Sequence, residues 1–152
     1  MSRTDRYDIG FTGTRFGANQ AQLTALYAAM RDLRGEDGDW QQFHHGCCIG
    51  ADLQAARLAV SLGYYVVGHP PTDTTHLSKA AVQLCHHLFT PEPYLARNQR
   101  IVECVDHLVA APLSDVEELR CGTWSTVRKA RKMQRPVTLL LRAGGAQRGE
   151  RR

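Results

Sequence analysis

The segment most informative about the fold is RNQRIVECVDHLVAAPLSDVEELRCGTWSTV, residues 97–127. It contains, in order, an amphipathic helix that ends near Asp106, a compact apolar run at 107–111 that stops at Pro112, and a polar segment at 121–127 that begins another helix. A buried strand whose carboxyl end faces the start of a helix is where open α/β sheets bind ligands. The stretch therefore predicts both a parallel sheet and a ligand site.

The segment that follows Pro112 has the properties of an anion site. The start of a helix offers unpaired backbone N–H groups and the positive end of a dipole, which suit a phosphate. Gly122 lets a ligand approach the backbone closely, and the hydroxyl groups that follow it are donors. The planar guanidinium of Arg97 suits bidentate phosphate binding, although a surface salt bridge is the alternative. We predict a phosphate held by Arg97, Asn98, Gly122, Thr123, Ser125 and Thr126.

Four other short apolar runs flank this stretch, at 7–11, 40–44, 64–67 and 137–141, and helical patterns separate them. Alternating strands and helices predict right-handed parallel crossovers. The fold expected is therefore α/β, a Rossmann-like three-layer sandwich with about five parallel strands in the order 3-2-1-4-5. Residues 80–88 fit either a helix or a strand. Asn19 and Gln22 predict a capping box at the start of the first helix.

Length and composition limit the function classes. The chain has 152 residues, which suits one domain, assigned to residues 1–142, followed by a basic and disordered tail at 143–152. No apolar run approaches the length of a membrane span, and five cysteines without ligand-like spacing favour a reducing cytoplasm. The net charge of +4 is mild, so it permits weak contact with single-stranded nucleic acid without requiring it.

Other polar residues are expected at the carboxyl ends of neighbouring strands. One wall of the site is predicted from Thr12, Gly13, Thr14 and Arg15, for which an ordinary strand-to-helix turn is the alternative. A second wall is predicted from Gly46, Gly50 and Asp52, with a helix-capping role as the alternative for Asp52. His69 follows the third strand and either lines the pocket or is a loop histidine without function. The HHGCC run at 44–48 lacks the spacing of metal ligands, so neither a metal site nor a resident cofactor is predicted.

Six segments together resemble the SLOG superfamily: GFTGTR at 10–15, HGCCIGAD at 45–52, GHPP at 68–71, RN at 97–98, DHLVAAP at 106–112 and CGTWSTVRKA at 121–130. That superfamily includes the Lonely Guy phosphoribohydrolases and the Rossmann-like domain of the DNA-processing protein DprA. The chain resembles its small stand-alone phage and bacterial members. The resemblance implies a Rossmann-like domain that binds nucleotides or nucleotide-derived molecules, often as a homodimer.

The resemblance also leaves functional alternatives open. In the Lonely Guy enzymes a catalytic glutamate follows the Gly-Thr pair, and Thr126 occupies that position here. A threonine hydroxyl cannot act as a general base near pH 7, so binding is favoured over cleavage of a nucleoside monophosphate N-glycosidic bond. Asp52, Asp106 and Asp115 are the other candidate carboxylates. A DprA-like protein that binds single-stranded DNA is the third hypothesis, based on the basic residues Arg128, Lys129, Arg131 and Lys132, and a scaffold without a ligand is the fourth.

Overall fold

The computed structural model describes residues 6–35 and 40–149. Within them, strands and helices alternate along the chain, as the apolar runs predict. The elements are β1 (Ile9–Gly13), α1 (Gln20–Leu33), β2 (Gln42–His45), α2 (Ala51–Ser61), β3 (Tyr65–Gly68), α3 (Lys79–Gln83), β4 (His87–Leu88), α4 (Tyr94–Cys104), β5 (His107–Ala111), α5 (Gly122–Lys132), β6 (Val137–Leu140) and β7 (Ala146–Gly149).

The strands form one sheet in the order β4-β3-β2-β1-β5-β6-β7. All neighbours are parallel except β6 and β7, which are antiparallel. The five central strands, β3-β2-β1-β5-β6, have the predicted order 3-2-1-4-5, so the predicted fold class is confirmed. The sheet is larger than expected because a short strand is added at each edge.

Both additional strands lie where the sequence has weak signals. The ambiguous segment 80–88 contains parts of both elements, because α3 ends at Gln83 and β4 follows at His87–Leu88. The prediction of a disordered tail from residue 143 is wrong for Ala146–Gly149, which form β7 beside β6. An edge strand presents unpaired N–H and C=O groups that pair with any extended backbone, so this strand needs no apolar side chains. Residues 150–152 of the predicted tail lie outside the described residues.

The sheet has helices on both faces, and each face has its own apolar cluster. On one face, Leu26 and Met30 of α1 pack with the alanines of α2 against Phe11 and Phe43. On the other face, Val102 of α4 and Trp124 of α5 pack against Leu108. Strands covered on both faces are apolar along their whole length, which explains the continuous run at β5. Among the described residues, no helix has the length and apolar character that a membrane span requires.

The local signal at the start of α1 is also confirmed. The Asn19 side chain accepts a hydrogen bond from the Gln22 N–H at 2.9 Å, and the Gln22 side chain accepts one from the Asn19 N–H at 3.1 Å. Gln22 is fully buried, and its amide also donates to the carbonyl oxygens of Pro112 and Leu140. The capping box therefore joins α1 to the ends of β5 and β6.

The order of the central strands places a crevice at one position. β1 and β5 are adjacent and in register from Ile9 beside His107 to Gly13 beside Ala111. The chain leaves β1 for α1 on one face of the sheet and leaves β5 for α5 on the other face. The connections diverge at this point, which is where open α/β sheets form ligand crevices.

Candidate functional site

A cavity of about 740 Å³ opens at the carboxyl ends of β1 and β5. It lies where the strand order predicts a crevice, and its volume falls in the range of pockets for small ligands. Eleven of the fourteen predicted site residues line it: Thr12, Gly13, Thr14, Arg15, Gly46, Asp52, Arg97, Asn98, Gly122, Thr123 and Ser125. The structure thus brings together residues from four separate segments of the chain.

The other three predicted site residues are not part of the cavity wall, although all three are described. Thr126 is fully buried and its hydroxyl donates to the Gly122 carbonyl oxygen at 2.9 Å, one turn back in α5. Gly50 lies in the loop before α2 with φ of +82°, and a β-carbon there would lie 2.3 Å from the Arg15 carbonyl oxygen. Only glycine fits this left-handed conformation and this close approach. Gly50 therefore lets the loop before α2 pack against the backbone at Arg15.

His69, the third, belongs to a buried chain of hydrogen bonds beside the cavity. Arg100 Nε donates to His69 Nδ1 at 3.0 Å, so the proton of the neutral ring lies on Nε2. His69 Nε2 lies 2.7 Å from His44 Nδ1, and His44 Nε2 lies 2.9 Å from Gln42 Oε1. Burial, with His44 and Arg100 nearby, lowers the pKa of His69 to about 2. His69 is therefore neutral at pH 7, and its hydrogen bonds with Arg100 and His44 connect α4 to β2.

The start of α5 is an open part of the cavity wall. Within the described part of the chain, the side chain of the N-cap residue Cys121 makes no capping hydrogen bond. Gly122 is exposed, and a β-carbon placed on it has no heavy atom within 4 Å. Since the first N–H groups of a helix have no partners inside the helix, those of α5 are available to a ligand in the cavity.

Arg97 is held firmly in the cavity wall. It lies in the first turn of α4 and is 6% exposed. Its Nη1 donates to the carbonyl oxygens of Gly46 at 2.5 Å and His69 at 3.2 Å, and its Nε donates to Asn98 Oδ1 at 2.8 Å. A β-carbon on Gly46 would lie 2.5 Å from Nη1, so the glycine is needed for this approach. The guanidinium therefore also has a structural role that the sequence did not predict.

Asp52 is the buried acid of the opposite wall. Its Oδ2 accepts the N–H groups of Gly46 and Cys48, each at 3.1 Å, so it closes the loop that precedes α2. Burial raises the pKa of Asp52, while His45 and Arg97 oppose that shift. The capping alternative is the closer description, although the bonds go to the loop and not to the N–H groups of α2 itself.

Sequence reasoning missed several residues at the rim. Arg15 bonds to His76 Nε2 at 2.5 Å and lies over the Phe16 ring, so the 72–78 loop contributes to the mouth of the cavity. Tyr94 also lines the cavity, with Arg97 5.4 Å from its ring centre. The residues 72–92 have no clear helical or strand period, so no local signal assigned His76 to the site.

The candidate carboxylates are divided between the cavity and the rest of the fold. Asp106 accepts the Asp8 N–H at 2.8 Å, and Asp115 accepts the N–H groups of Arg142 and Ala143, so both bind backbone at other places. Asp73 and Glu118 line the cavity although the sequence did not single them out. The Thr75 hydroxyl and N–H lower the pKa of Asp73, which therefore suits a permanent anion better than a general acid.

Comparison with known proteins supports the fold. No protein-family model and no curated protein sequence matches the chain. Among solved structures, it is similar to the molybdenum cofactor binding protein of Rippkaea orientalis, with TM-score 0.65, 24% identity, and coverage of 88% of this chain and 76% of that one. The molybdenum cofactor carrier protein of Chlamydomonas reinhardtii matches with TM-score 0.61, 22% identity, and coverage of 89% and 76%.

DprA of Streptococcus pneumoniae matches with TM-score 0.65 and 17% identity, over 89% of this chain and 50% of that one. The chain therefore spans about half the length of DprA. These likenesses show a Rossmann-like α/β fold, and the chain has that fold, as the sequence predicted.

Proposed function

We propose that this protein binds a small anionic ligand, a nucleotide or nucleotide-derived molecule, in the cavity at the ends of β1 and β5. The phosphate or other anionic group lies at the start of α5, where Gly122 and Thr123 present their N–H groups and Ser125 adds a hydroxyl. The rest of the ligand extends along Thr12–Arg15 towards the rim. This is a binding function, and it requires no chemical step.

The observation that carries the proposal is the open start of α5. Eleven helical residues align their peptide dipoles towards the cavity, and the space around Gly122 is free of other atoms. Helix starts of this kind bind anions through backbone donors without a dedicated cation. At the start of α2, by contrast, the Ala51 N–H donates to the Thr14 carbonyl oxygen at 3.0 Å.

Charge around the cavity supports an anion. Arg15, Arg97 and Arg120 line it. The three acids that also line it are Asp52, Asp73 and Glu118, and the first two are engaged by backbone or hydroxyl donors of their own loops. Hydrogen bonds from charged donors in a partly desolvated pocket are stronger than neutral ones. The arginines therefore favour a phosphate over an uncharged group.

The similar structures support a carrier or binding role by analogy. Two are proteins that bind or carry the molybdenum cofactor, and one is DprA. The cofactor therefore joins nucleotides as a candidate ligand. Single-stranded DNA is less favoured, because Arg128 bonds to Glu117 and to the carbonyl oxygens of Glu118 and Leu119. Assembly as a homodimer and a cytoplasmic location stay predictions.

Base release is also less favoured than binding. Thr126, at the position of the catalytic glutamate, is buried and bonded to Gly122. The carboxylates of Asp106 and Asp115 bind backbone N–H groups. We expect no appreciable release of free base from nucleoside monophosphates, and turnover near 1 per second would replace binding with hydrolysis as the function.

The test is a matched pair of substitutions at Gly122. Gly122→Asp places a carboxylate where the phosphate is proposed to bind, and Gly122→Asn places a neutral side chain of similar size there. An acid at a helix start stabilises the helix, so loss of binding in Gly122→Asp cannot be attributed to unfolding. Ligands are first found by thermal shift with a panel of nucleotides and the molybdenum cofactor, then measured by calorimetry.

We expect Gly122→Asp to weaken the best ligand at least tenfold more than Gly122→Asn, about 1.4 kcal/mol. Equal affinities for the two variants would remove the start of α5 from the site. If no member of the panel raises the melting temperature of the wild-type protein, the proposal of a small anionic ligand fails.

A further inference from the structure

Behind the loop that carries Gly46, three side chains meet that have no part in the cavity. His45 is the last residue of β2, Cys47 follows two residues later, and Cys85 follows α3. Their potential ligand atoms all lie within 4.8 Å of one another. Cys47 and His45 are fully buried, and Cys85 is partly exposed. Residues far apart in the chain thus form a compact group of two thiols and one imidazole.

The hydrogen bonds of His45 fix its tautomer. Nδ1 accepts the backbone N–H of Cys47 at 3.0 Å, so in the neutral ring the proton lies on Nε2. Nε2 lies 3.3 Å from Cys85 Sγ. The imidazole therefore points an N–H group at the sulfur of Cys85, an arrangement that stabilises a thiolate.

This tautomer also argues against a metal site formed by His45 and the two cysteines. A histidine that binds a metal through one nitrogen normally donates a hydrogen bond from the other nitrogen. In His45 the other nitrogen is an acceptor, because a backbone N–H points at it. Nε2 would have to lose its proton to bind a metal, so the group fits a thiolate better than a cation.

The surroundings of the two thiols shift their pKa values in opposite directions. The neighbouring Cys47 and the imidazole of His45 lower the pKa of Cys85, although partial burial opposes them. The neighbouring Cys85 and burial raise the pKa of Cys47. Cys85 Sγ also lies 3.3 Å from the Ala81 carbonyl oxygen, which accepts the proton when Cys85 is a thiol. A thiolate beside a thiol is the state that reacts with oxidants.

The backbone is arranged to bring the two sulfur atoms together. A β-carbon on Gly68 would lie 2.7 Å from Cys47 Sγ and 2.7 Å from Cys85 Sγ, so both sulfurs occupy the space that a side chain at residue 68 would fill. Cys47 has φ of +61°, a left-handed conformation that is costly for a residue other than glycine. The surrounding bonds to His45 and from the Ser78 N–H hold it there. Such strain is concentrated at functional positions.

We infer that Cys47 and Cys85 are a redox-active dithiol, which hydrogen peroxide converts into an intramolecular disulfide. The Cys85 thiolate attacks one peroxide oxygen, the O–O bond breaks, and Cys85 becomes a sulfenic acid while hydroxide leaves. Cys47 then attacks the Cys85 sulfur and gives its proton to that hydroxide. The S–O bond breaks, and a second molecule of water forms after protonation. One peroxide and two thiols give one disulfide and two waters, and a dithiol reductant reverses the change.

The test uses the full-length wild-type protein, so it depends on neither a variant nor the ligand of the cavity. The reduced protein is treated with one equivalent of hydrogen peroxide, remaining thiols are alkylated, and disulfides are mapped by peptide mass spectrometry. We expect a Cys47–Cys85 disulfide in most molecules, while the half-buried Cys104 and Cys121 stay alkylated. Cys104→Ser is the matched control and should leave the disulfide unchanged, whereas Cys47→Ser should stop oxidation at the sulfenic acid of Cys85.

A second measurement tests the role of His45. The pH profile of Cys85 alkylation should have its midpoint below pH 7 in the wild-type protein and shift upward by at least one unit in His45→Phe. A midpoint near that of a free thiol in the wild-type protein would overturn the inference. So would a disulfide between other cysteines, no disulfide at all, or one bound zinc ion that protects both thiols from alkylation.

Discussion

Among the helices that begin beside the cavity, α2 and α5 have starts that differ. The start of α2 is closed: Asp52 binds the N–H groups of the preceding loop, and Gly50 packs against the Arg15 carbonyl oxygen. The start of α5 is open: Cys121 caps nothing in the described structure, and Gly122 faces free space. We refer to these as the closed start and the open start.

The difference separates donors that the fold already uses from donors that are available to a ligand. At the closed start, Asp52 accepts from the loop before α2, and the Thr14 carbonyl oxygen accepts the Ala51 N–H at 3.0 Å. At the open start, the described part of the chain supplies no side-chain cap. We therefore expect an external anion to accept from the first N–H groups of α5.

The largest expected effect is the loss of the acid at the closed start. Asp52→Ala leaves two buried N–H groups without their acceptor, and hydrogen bonds to charged groups contribute about 1.5 kcal/mol or more each. We expect the free energy of unfolding to fall by about 3 kcal/mol in urea denaturation. Asp73→Ala is the control, because Asp73 is exposed and its carboxylate accepts from Thr75, two residues away; it should cost less than about 0.5 kcal/mol. Equal losses of unfolding free energy in Asp52→Ala and Asp73→Ala would contradict the structural role of Asp52 at the closed start.

The next largest effect is a loss of folding stability in acid, caused by the buried His69. The pKa of His69 is about 2 in the folded protein and 6.5 in the unfolded chain, so the unfolded chain binds the proton first as pH falls. Folding stability is therefore unaffected by His69 above pH 6.5 and falls below that pH. The free energy of unfolding decreases by about 1.4 kcal/mol per pH unit, which is about 2 kcal/mol at pH 5. His107, whose pKa is lowered to about 4 by burial, acts in the same direction.

The measurement is the free energy of unfolding between pH 7 and pH 5 in wild type, His69→Gln and His87→Gln. His69→Gln should have a shallower decline than wild type. His87 is exposed, so His87→Gln should have the wild-type slope. A wild-type slope in His69→Gln would mean that the buried histidine chain does not control the acid response.

A smaller effect of opposite sign is expected at the open start. Without ligand, Gly122→Asp should raise the free energy of unfolding by about 0.3–1 kcal/mol, because the carboxylate interacts favourably with the helix dipole. Gly122→Asn isolates the charge, since it adds a side chain of similar size. If the aspartate destabilises the protein relative to asparagine, another group already occupies the open start.

The smallest effect is expected at the other end of α5. Arg128 and Arg131 pair with Glu117, so Lys129 and Lys132 carry the charge that is free for nucleic acid. At physiological salt we expect only weak oligonucleotide binding, which falls steeply as salt rises because it depends on counterion release. Lys129→Glu with Lys132→Glu should leave small-ligand affinity unchanged. Tight oligonucleotide binding that this double variant abolishes would favour a DprA-like function instead.

Features with short-range signals were predicted well. The capping box of Asn19 and Gln22 and the central strands follow from patterns within single segments. The strand order follows from the alternation of strands and helices along the chain. The position of the cavity followed from the strand order, since the switch between β1 and β5 depends on connectivity alone. Local signals failed at the edges, because β7 pairs through its backbone and has no apolar pattern to reveal it.

The roles of single polar residues were harder to predict. Arg97 was expected to be a ligand residue at a loop junction, but its guanidinium bonds to the carbonyl oxygens of Gly46 and His69, 51 and 28 residues away in the sequence. His69 was expected at the pocket, but its ring faces His44 and Arg100. Neither partner lies near in the chain, so no spacing could indicate it.

The α/β class, the order of the central strands and the place where the cavity opens could therefore be predicted from the sequence alone. These depend on hydrophobic periodicity and on turn residues, which act between neighbours in the chain. The tertiary structure was needed to show that Asp52 closes the loop before α2, that the start of α5 stays open, and that Cys47 and Cys85 meet beside Gly68. These depend on hydrogen bonds and close approaches between distant segments, and such contacts exist only after the sheet has brought those segments together.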